Sequence, residues 1–367
     1  MAVSSTKGKV VVGMSGGVDS SVAAFLLKEQ GYDVTGVTMQ IWQSEEIQTV
    51  EQKGGCCGYH AVADARRTAQ QLGIPHYVMN FREEFQKYVI DYFIAEYRLG
   101  RTPNPCIACN RFVKWESLLQ RSLGIGADFI ATGHYARLEK LSNGRYALRQ
   151  SVSEGKDQTY ALYQLTQQQL AHTLFPAGGY SKDRIREIAR QNGLSAADKP
   201  DSQEICFVPD HDYAAFISRS TKQEEAAGNF VTADGRVIGR HKGISHYTIG
   251  QRKGLGLALG RPVFVTQIRP DTNEVVIGEH ADLMTVELEA DHMNYMAVER
   301  LEQGERLQAK IRYSHKGGDC RITDVSGDGS YIRLEFDRPV RAVTPGQAVV
   351  LYKDGYVMGG GTICAHK

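Results

Sequence analysis

Along the first half of the chain, the spacing of apolar and polar positions switches repeatedly between two periods. Lys9 to Gly13 (KVVVG) is a short apolar run that reads as a strand buried on both faces. Val18 to Gln30 carries apolar residues at helical spacing and is closed by Gly31. The same reasoning predicts a strand over Val34 to Ile41, an amphipathic helix over about Tyr59 to Leu72, and a strand over His76 to Asn80. A helix over about Glu83 to Tyr97 follows, then the Gly/Pro-rich loop Gly100 to Pro105, a helix from about Arg111 and a strand at Asp128 to Thr132. This alternation predicts an α/β fold, a doubly wound parallel sheet with ligands at the carboxyl ends of its strands.

Beyond about Asp210 the period falls to two. Phe264 to Arg269, Glu274 to Ile277, Leu307 to Tyr313, Tyr331 to Phe336 and Ala348 to Tyr352 read as strands. Turn pairs such as Asp234-Gly235, Gly317-Gly318, Asp328-Gly329 and Asp354-Gly355 punctuate this half. The expected division is an α/β domain over 1–210, a small β-rich central domain over 211–275 and a C-terminal β-barrel over 276–367. A chain of 367 residues is long enough for two or three cores.

Composition changes this picture little. Hydrophobic residues make up 42% and charged residues 23%, as in ordinary globular proteins. No run approaches the length of a membrane-spanning helix, and Met1 to Lys9 lacks the apolar core of a signal peptide. A net charge of +1 means that any nucleic-acid surface must be a local patch. The seven cysteines are an odd number, which argues against an extracellular disulfide framework and for a cytoplasmic setting.

The candidate chemistry starts at Ser15-Gly16-Gly17-Val18-Asp19-Ser20, between a predicted strand and a predicted helix. Backbone N–H groups at such a junction make an anion site, and paired glycines let it approach a phosphate closely. The lysine of a Walker loop is absent. An ordinary turn capped by Ser15 or Asp19 is the alternative. Met39 ends the second strand, and Gly133, in Ala131-Thr132-Gly133-His134-Tyr135, ends another at the same sheet edge; its missing side chain suits a close nucleotide. His134 reads as a satisfied core histidine, with a polar contact in the site as the alternative. Cys106-Ile107-Ala108-Cys109 precedes a helix that Asn110 could cap, a position that favours a reactive thiolate. The same CxxC suits half a metal site or a redox pair. Cys206, alone before Phe207, reads by itself as packing. Cys56 and Cys57 lie in a Gly-rich stretch and receive no role, and Cys320 and Cys364 read as barrel packing.

The string Ser15 to Ser20 resembles the signature of the PP-loop ATP pyrophosphatases. That resemblance implies a HUP-like domain in which a substrate oxygen attacks the α-phosphate of ATP. Gly13, Met14, Ser15, Gly16, Gly17, Val18, Asp19, Ser20, Met39 and Gly133 would bind ATP, with Asp19 helping to hold Mg²⁺. Six strings in order extend the match: Gly13 to Ser20, Gly100 to Pro105 with Cys109-Asn110, Ala131 to Tyr135, Lys156-Asp157-Gln158, Asp201-Ser202 with Ile205-Cys206-Phe207, and Tyr247 to Gly256. Together they resemble the bacterial tRNA-specific 2-thiouridylases, over nearly the whole chain.

That second resemblance implies ATP-dependent adenylation of uracil O2 at the wobble position of tRNA, then sulfur transfer to C2. Cys206 would carry sulfur as a persulfide, and Cys109 would release it by forming a Cys109–Cys206 disulfide or would assist directly. Asn104, Pro105 and Cys106 would line the target base in the anticodon stem-loop. Lys156, Asp157, Gln158, Arg312 and Tyr313 would contact the tRNA. The sulfur would come from a persulfide donor such as a cysteine desulfurase or a sulfur-relay protein. Some relatives carry Asp where this chain has Cys106, so Cys106, Cys109 and Cys206 could instead hold a [4Fe–4S] cluster. Relay and cluster both stay open at this point. An amide ligase built on the same loop would have no use for these cysteines. A non-catalytic RNA-binding protein with structural zinc would not need the phosphate loop.

Overall fold

A computed structural model of the chain describes residues 6–41, 59–199, 205–208, 212–222 and 225–366. The chain divides into two compact units. One comprises Met1–Val89, Cys106–His211 and Gly355–Val357; the other comprises Ile90–Pro105, Asp212–Asp354 and Met358–Lys367.

The first unit is built on a parallel five-stranded sheet. Strands β1 (Lys9–Gly13), β2 (Asp33–Gln40), β3 (His76–Asn80), β4 (Phe129–Ala131) and a short strand at Thr173–Leu174 lie in the order β3-β2-β1-β4 followed by Thr173–Leu174. Val10 pairs with both Val34 and Phe129, so β1 sits at the centre. From β1 the chain winds outward in one direction through β2 and β3, then crosses back to β4. This reversal between β1 and β4 is the topological switch point, where the loops diverge and leave a crevice. β1 is apolar because both its faces are covered: Val10 and Val12 are wholly buried, packed with Val22, Leu27 and Ile185 from helices. Two of those helices are α1 (Val18–Glu29) and α2 (Tyr59–Leu72), which meet the boundaries expected from periodicity to within a residue.

Two helices differ from expectation. The helix spanning Arg82–Phe85, Gln86–Ile90 and Asp91–Arg98 contains a π-helical middle section, and so does the one spanning Pro105–Ala108, Cys109–Leu118 and Leu119–Gly124. The second helix starts at Pro105, not near Arg111. A proline is favoured in the first turn because the N–H it lacks would have no partner there.

In the second unit, a helix at Tyr213–Thr221 precedes four strands whose order is Phe264–Arg269, Glu274–Gly278, Gly228–Val231 and Val237–His241. Six further strands close into a barrel in the order Met284–Tyr295, Ile332–Arg341, Gly318–Val325, Arg306–Lys310, Ala348–Lys353 and Tyr356–His366. Pairing of the first with the last, as between Ala290 and Ile363, completes the closure. Alternation fills the barrel: Ile332, Leu334 and Phe336 are buried while Glu335 is exposed. Asp354 and Gly355 both have positive φ, 53° and 80°, as a tight two-residue hairpin turn requires.

The Pro-rich loop falls in the second unit. Thr102 N–H donates to Pro345 O at 2.9 Å, and Gln347 Nε2 donates to the carbonyls of Thr102 and Pro103 at 2.9 and 3.3 Å. Among the described residues, no helix is long and apolar enough to cross a membrane.

Candidate active site

A cleft of about 290 Å³ opens at the switch point. Gly13 and Met14 end β1 at its floor, and Ser15, Asp19 and Ser20 form one wall. Thr38 and Met39 come from β2, Lys114 and Leu118 from the Cys109–Leu118 helix, and Thr132, Gly133 and His134 from the end of β4. Of the residues expected to bind ATP, Gly13, Met14, Ser15, Asp19, Ser20, Met39 and Gly133 therefore meet in one cavity. Gly16 and Gly17 complete the loop, whereas the Val18 side chain is buried in the core.

No side chain caps α1. Gly17 is the N-cap residue, so the alternative of a turn capped by Ser15 or Asp19 does not hold. The hydroxyls point inward instead: Ser15 N–H donates to Ser20 Oγ at 3.2 Å, and Ser20 Oγ donates to Gly17 O at 3.2 Å. The helix N-terminus thus presents uncapped backbone to the cleft, as an anion site requires. The two glycines differ. Gly16 has φ +73°, and a Cβ there would lie 2.5 Å from Ala61 O. Gly17 has no such conflict, its nearest neighbour being Ser15 Oγ at 3.5 Å.

Gly133 is small for a reason the sequence did not reveal. A Cβ on it would lie 2.6 Å from both Asp19 C and Ser20 N, in the first turn of α1. Its bareness thus lets β4 and α1 approach each other, whatever else enters the cleft.

The Asp19 carboxylate is held from two sides. Lys182 Nζ contacts Oδ1 and Oδ2 at 2.8 and 2.9 Å, and Tyr135 OH donates to Oδ1 at 2.6 Å. Lys182 starts the helix Lys182–Gln191 and is about one-eighth exposed. Lys199 Nζ donates to Gly16 O at 3.2 Å and pairs with Asp64. These lysines brace the loop, each ion-paired with a carboxylate, Asp19 or Asp64. Nothing local in the sequence marks them, because Lys182 lies 163 residues from Asp19.

His134 is a satisfied histidine at the cleft wall. Its Nδ1 is hydrogen-bonded to Thr132 Oγ1 at 2.7 Å, and its ring packs near Trp115 and Phe175. Burial first, and the Lys114 charge second, hold its pKa well below the usual imidazole value.

Cys109 opens the π-helical section and is half-buried; Cys106, in the turn before it, is exposed. Asn110 is not a cap. It is buried inside the continuous helix, where its Nδ2 donates to Ala161 O at 2.9 Å and its Oδ1 accepts from Lys114 Nζ at 2.8 Å. Cys206, also half-buried, sits in a turn closed by Val208 N–H donating to Ile205 O at 3.0 Å. Phe207 anchors that turn edge-on against Phe85. None of the described cysteines is in a disulfide. Among the described residues no group of three or more His, Cys, Asp or Glu is placed to hold a metal ion. Cys106, Cys109 and Cys206 therefore do not form an iron–sulfur ligand set here. Cys320 is buried as expected, and its thiol pKa is pushed up to about 12, chiefly by burial. Cys364 is exposed, contrary to the packing role expected of it. Cys56, Cys57, Asp201 and Ser202 lie outside the described residues.

The residues expected at the RNA fall in several places. Gln158 lines the cleft, and its Oε1 accepts from Tyr135 N–H at 2.9 Å. Asp157 is buried, accepting from Ser151 N–H and Thr159 Oγ1, so its carboxylate holds its own loop together. Lys156 is half-buried beside it. Asn104 and Pro105 lead into the Pro105–Ala108 helix. Arg312 and Tyr313 occupy a turn, closed by His315 N–H to Arg312 O, not the strand expected of them. Arg312 Nη1 donates to Arg341 O at 2.9 Å, while Tyr313 is 47% exposed. The Gly-rich loop beyond Gly250 borders an open groove with Arg252 and Arg261 on its wall.

A glycine-rich loop that opens a helix beside the switch point of a parallel sheet defines a nucleotide-binding α/β enzyme, here joined to β-rich modules. Comparison with known proteins narrows this. Residues 8–210 match the family model described as the tRNA methyl transferase HUP domain, 214–279 the tRNA methyl transferase PRC-barrel domain, and 285–363 the aminomethyltransferase beta-barrel domain. A tRNA-specific 2-thiouridylase MnmA of Lachnoclostridium phytofermentans is 65% identical, over 97% of this chain and 99% of that protein. Those of Clostridium perfringens and Clostridioides difficile are 55% and 54% identical, over 98% and 97% of this chain and 99% and 98% of theirs. The chain belongs to the tRNA-specific 2-thiouridylase family.

Proposed function

We propose that this protein is a cytoplasmic tRNA-uridine 2-sulfurtransferase that activates a wobble uracil with ATP and replaces its O2 with sulfur. The observation that carries this reading is the joining of two chemistries on one helix. Cys109 and the cleft-lining Lys114 lie on the same helical section, beside an uncapped phosphate-type loop. Ser15, Gly16, Gly17 and Ser20 would cradle the phosphates, while Met39 and Gly133 would border the nucleoside.

In the first step an uracil O2 lone pair forms a bond to the α-phosphorus. The bond from that phosphorus to the bridging oxygen breaks, its electron pair leaves on pyrophosphate, and the N3 proton is lost. A poor leaving group becomes a good one. Asp19 is the one carboxylate among the described cleft residues, and to hold Mg²⁺, an ion usually shared between one or two carboxylates and substrate phosphates, it would have to give up a contact with Lys182. Bound there, Mg²⁺ would offset the charge of the leaving pyrophosphate.

In the second step the terminal sulfur of a Cys206 persulfide bonds to C2, and AMP leaves with the electron pair of the C2–O bond. Cys109 thiolate attacks Cys206 Sγ, and the S–S electron pair passes to the sulfur now on C2. A Cys109–Cys206 disulfide remains, to be reduced by a thiol, and the persulfide is renewed by a sulfur donor such as a cysteine desulfurase or a sulfur-relay protein. No step here needs an iron–sulfur cluster. Asn104, Pro105 and Cys106 would border the target base of the anticodon stem-loop. Lys156, Gln158, Arg312 and Tyr313 would contact the tRNA, which needs only a base swung from a single-stranded stack. The domain limits 1–210, 211–275 and 276–367 remain our functional division.

The test is incubation of purified protein with unmodified tRNA, ATP and a persulfide donor. AMP, pyrophosphate and 2-thiouridine should form together and only when tRNA is present. ATP cleavage that depends on glutamine rather than on tRNA would contradict the reading.

A further inference from the structure

A cleft meant for a polyphosphate can be tested by its charges. Among the described residues lining it, Asp19 and Lys114 are the carboxylate and the ammonium, and His134 is held neutral. Asp19 is neutralised by Lys182. Lys114 is not neutralised: its Nζ donates to the amide oxygen of Asn110 at 2.8 Å, and no described carboxylate pairs with it. The Asn110 amide is itself oriented by its bond to Ala161 O, so its oxygen is the end offered to Lys114.

An ammonium in a half-buried cleft with only a neutral partner is costly, because desolvation is not repaid by an opposite charge. Such an arrangement is expected where an anionic ligand supplies the missing charge. The neighbouring imidazole shows the effect, since the Lys114 charge helps to keep His134 unprotonated. No second cation therefore competes for the same anion at this wall.

We propose that Lys114 is a catalytic residue of the adenylation step, with its ammonium on the α-phosphoryl group as uracil O2 attacks. The proposal rests on the function proposed above. Negative charge on the non-bridging oxygens is stabilised by a cation already in place, which needs no reorganisation when the bond forms. Lys114 transfers no proton and forms no covalent bond; the electron pair of the broken bond still leaves on pyrophosphate. Asn110 is a positioning residue, acting through Lys114.

The experiment compares Lys114→Gln, which removes the charge but keeps a donor toward Asn110, with Lys114→Arg, which keeps the charge. Single-turnover pyrophosphate release in the presence of tRNA is measured beside equilibrium binding of ATP. Lys114→Gln should slow release by roughly 100-fold or more, the scale for loss of one transition-state donor. ATP binding should stay within about threefold, and Lys114→Arg should recover about tenfold or more of the lost rate. Lys114→Met serves as the neutral variant if the Gln protein does not fold. Wild-type release from the Gln or Met variant would overturn the proposal, as would an equal loss of ATP binding and rate. A wild-type protein that releases no pyrophosphate with tRNA would overturn the adenylation reading and the Lys114 role with it.

Discussion

Lys182 grips both carboxylate oxygens of Asp19, at 2.8 and 2.9 Å, while Tyr135 donates to one of them at 2.6 Å. The only carboxylate among the described residues of the cleft is thereby fixed in the first turn of α1. Lys182→Met leaves Asp19 with Tyr135 alone. Asp19 is about one-third exposed, so the cost falls below that of a fully buried pair, at about 1–3 kcal/mol. A lowered thermal midpoint should show it, and Tyr135→Phe should cost about 1 kcal/mol.

The loop glycines should separate strain from ligand contact. Gly16→Ala meets both a positive φ and Ala61 O, and should destabilise the fold by about 2 kcal/mol or more. Gly17→Ala has room and should leave the thermal midpoint nearly unchanged while weakening ATP, if phosphate approaches the backbone there. Thermal melting and ATP titration on the same samples distinguish the two effects.

Gly133→Ala would push a methyl group into the Asp19–Ser20 backbone. The first turn of α1 must shift, so ATP binding should fall by about tenfold or more, since small displacements at a reacting site are severe. Calorimetric titration with ATP reads the loss directly.

His134 makes a pH prediction. Its folded pKa lies below its unfolded value of 6.5, chiefly through burial. Below pH 6.5 the unfolded chain takes up a proton that the folded protein resists, so this histidine lowers stability as pH falls through that window and has little effect above it. By NMR its ring should not titrate between about pH 6.5 and 8. Lys114→Gln should raise its pKa yet leave it below 6.5, because burial is the larger cause.

Phe207 anchors the turn that carries Cys206, through an edge-on contact with Phe85 at 5.8 Å. Phe207→Ala should free that turn and reduce 2-thiouridine formation by about tenfold or more, since a sulfur held away from its target reacts slowly. Pyrophosphate release should be far less affected. Measuring both products in one reaction checks the split.

Local patterns carried much of the fold. KVVVG defined β1 to the residue because its three buried valines are bounded by exposed Lys9 and by Gly13. Asp354-Gly355 defined a hairpin because few other pairs accept two positive φ values. The phosphate loop, Met39 and Gly133 were legible because each ends a strand at one sheet edge. Lys182 and Lys199 were not, since they reach Asp19 and Gly16 only after the chain has folded over more than 160 residues. Asn110 was misread because polar residues near a Pro-rich turn suggest a cap. Here the proline itself starts the helix, and Asn110 is satisfied by a distant carbonyl. Arg312 and Tyr313 continue an alternating pattern, but the strand ends at Lys310 and the turn takes them.

The central claim is that sulfur from Cys206 replaces an oxygen activated at the Ser15–Ser20 loop. Its most direct test is nucleoside mass spectrometry of tRNA treated with wild-type protein or Cys206→Ser, with ATP and a persulfide donor. The account predicts 2-thiouridine with the wild type and none with Cys206→Ser, while pyrophosphate is still released by the variant. Wild-type levels of 2-thiouridine from Cys206→Ser would contradict it.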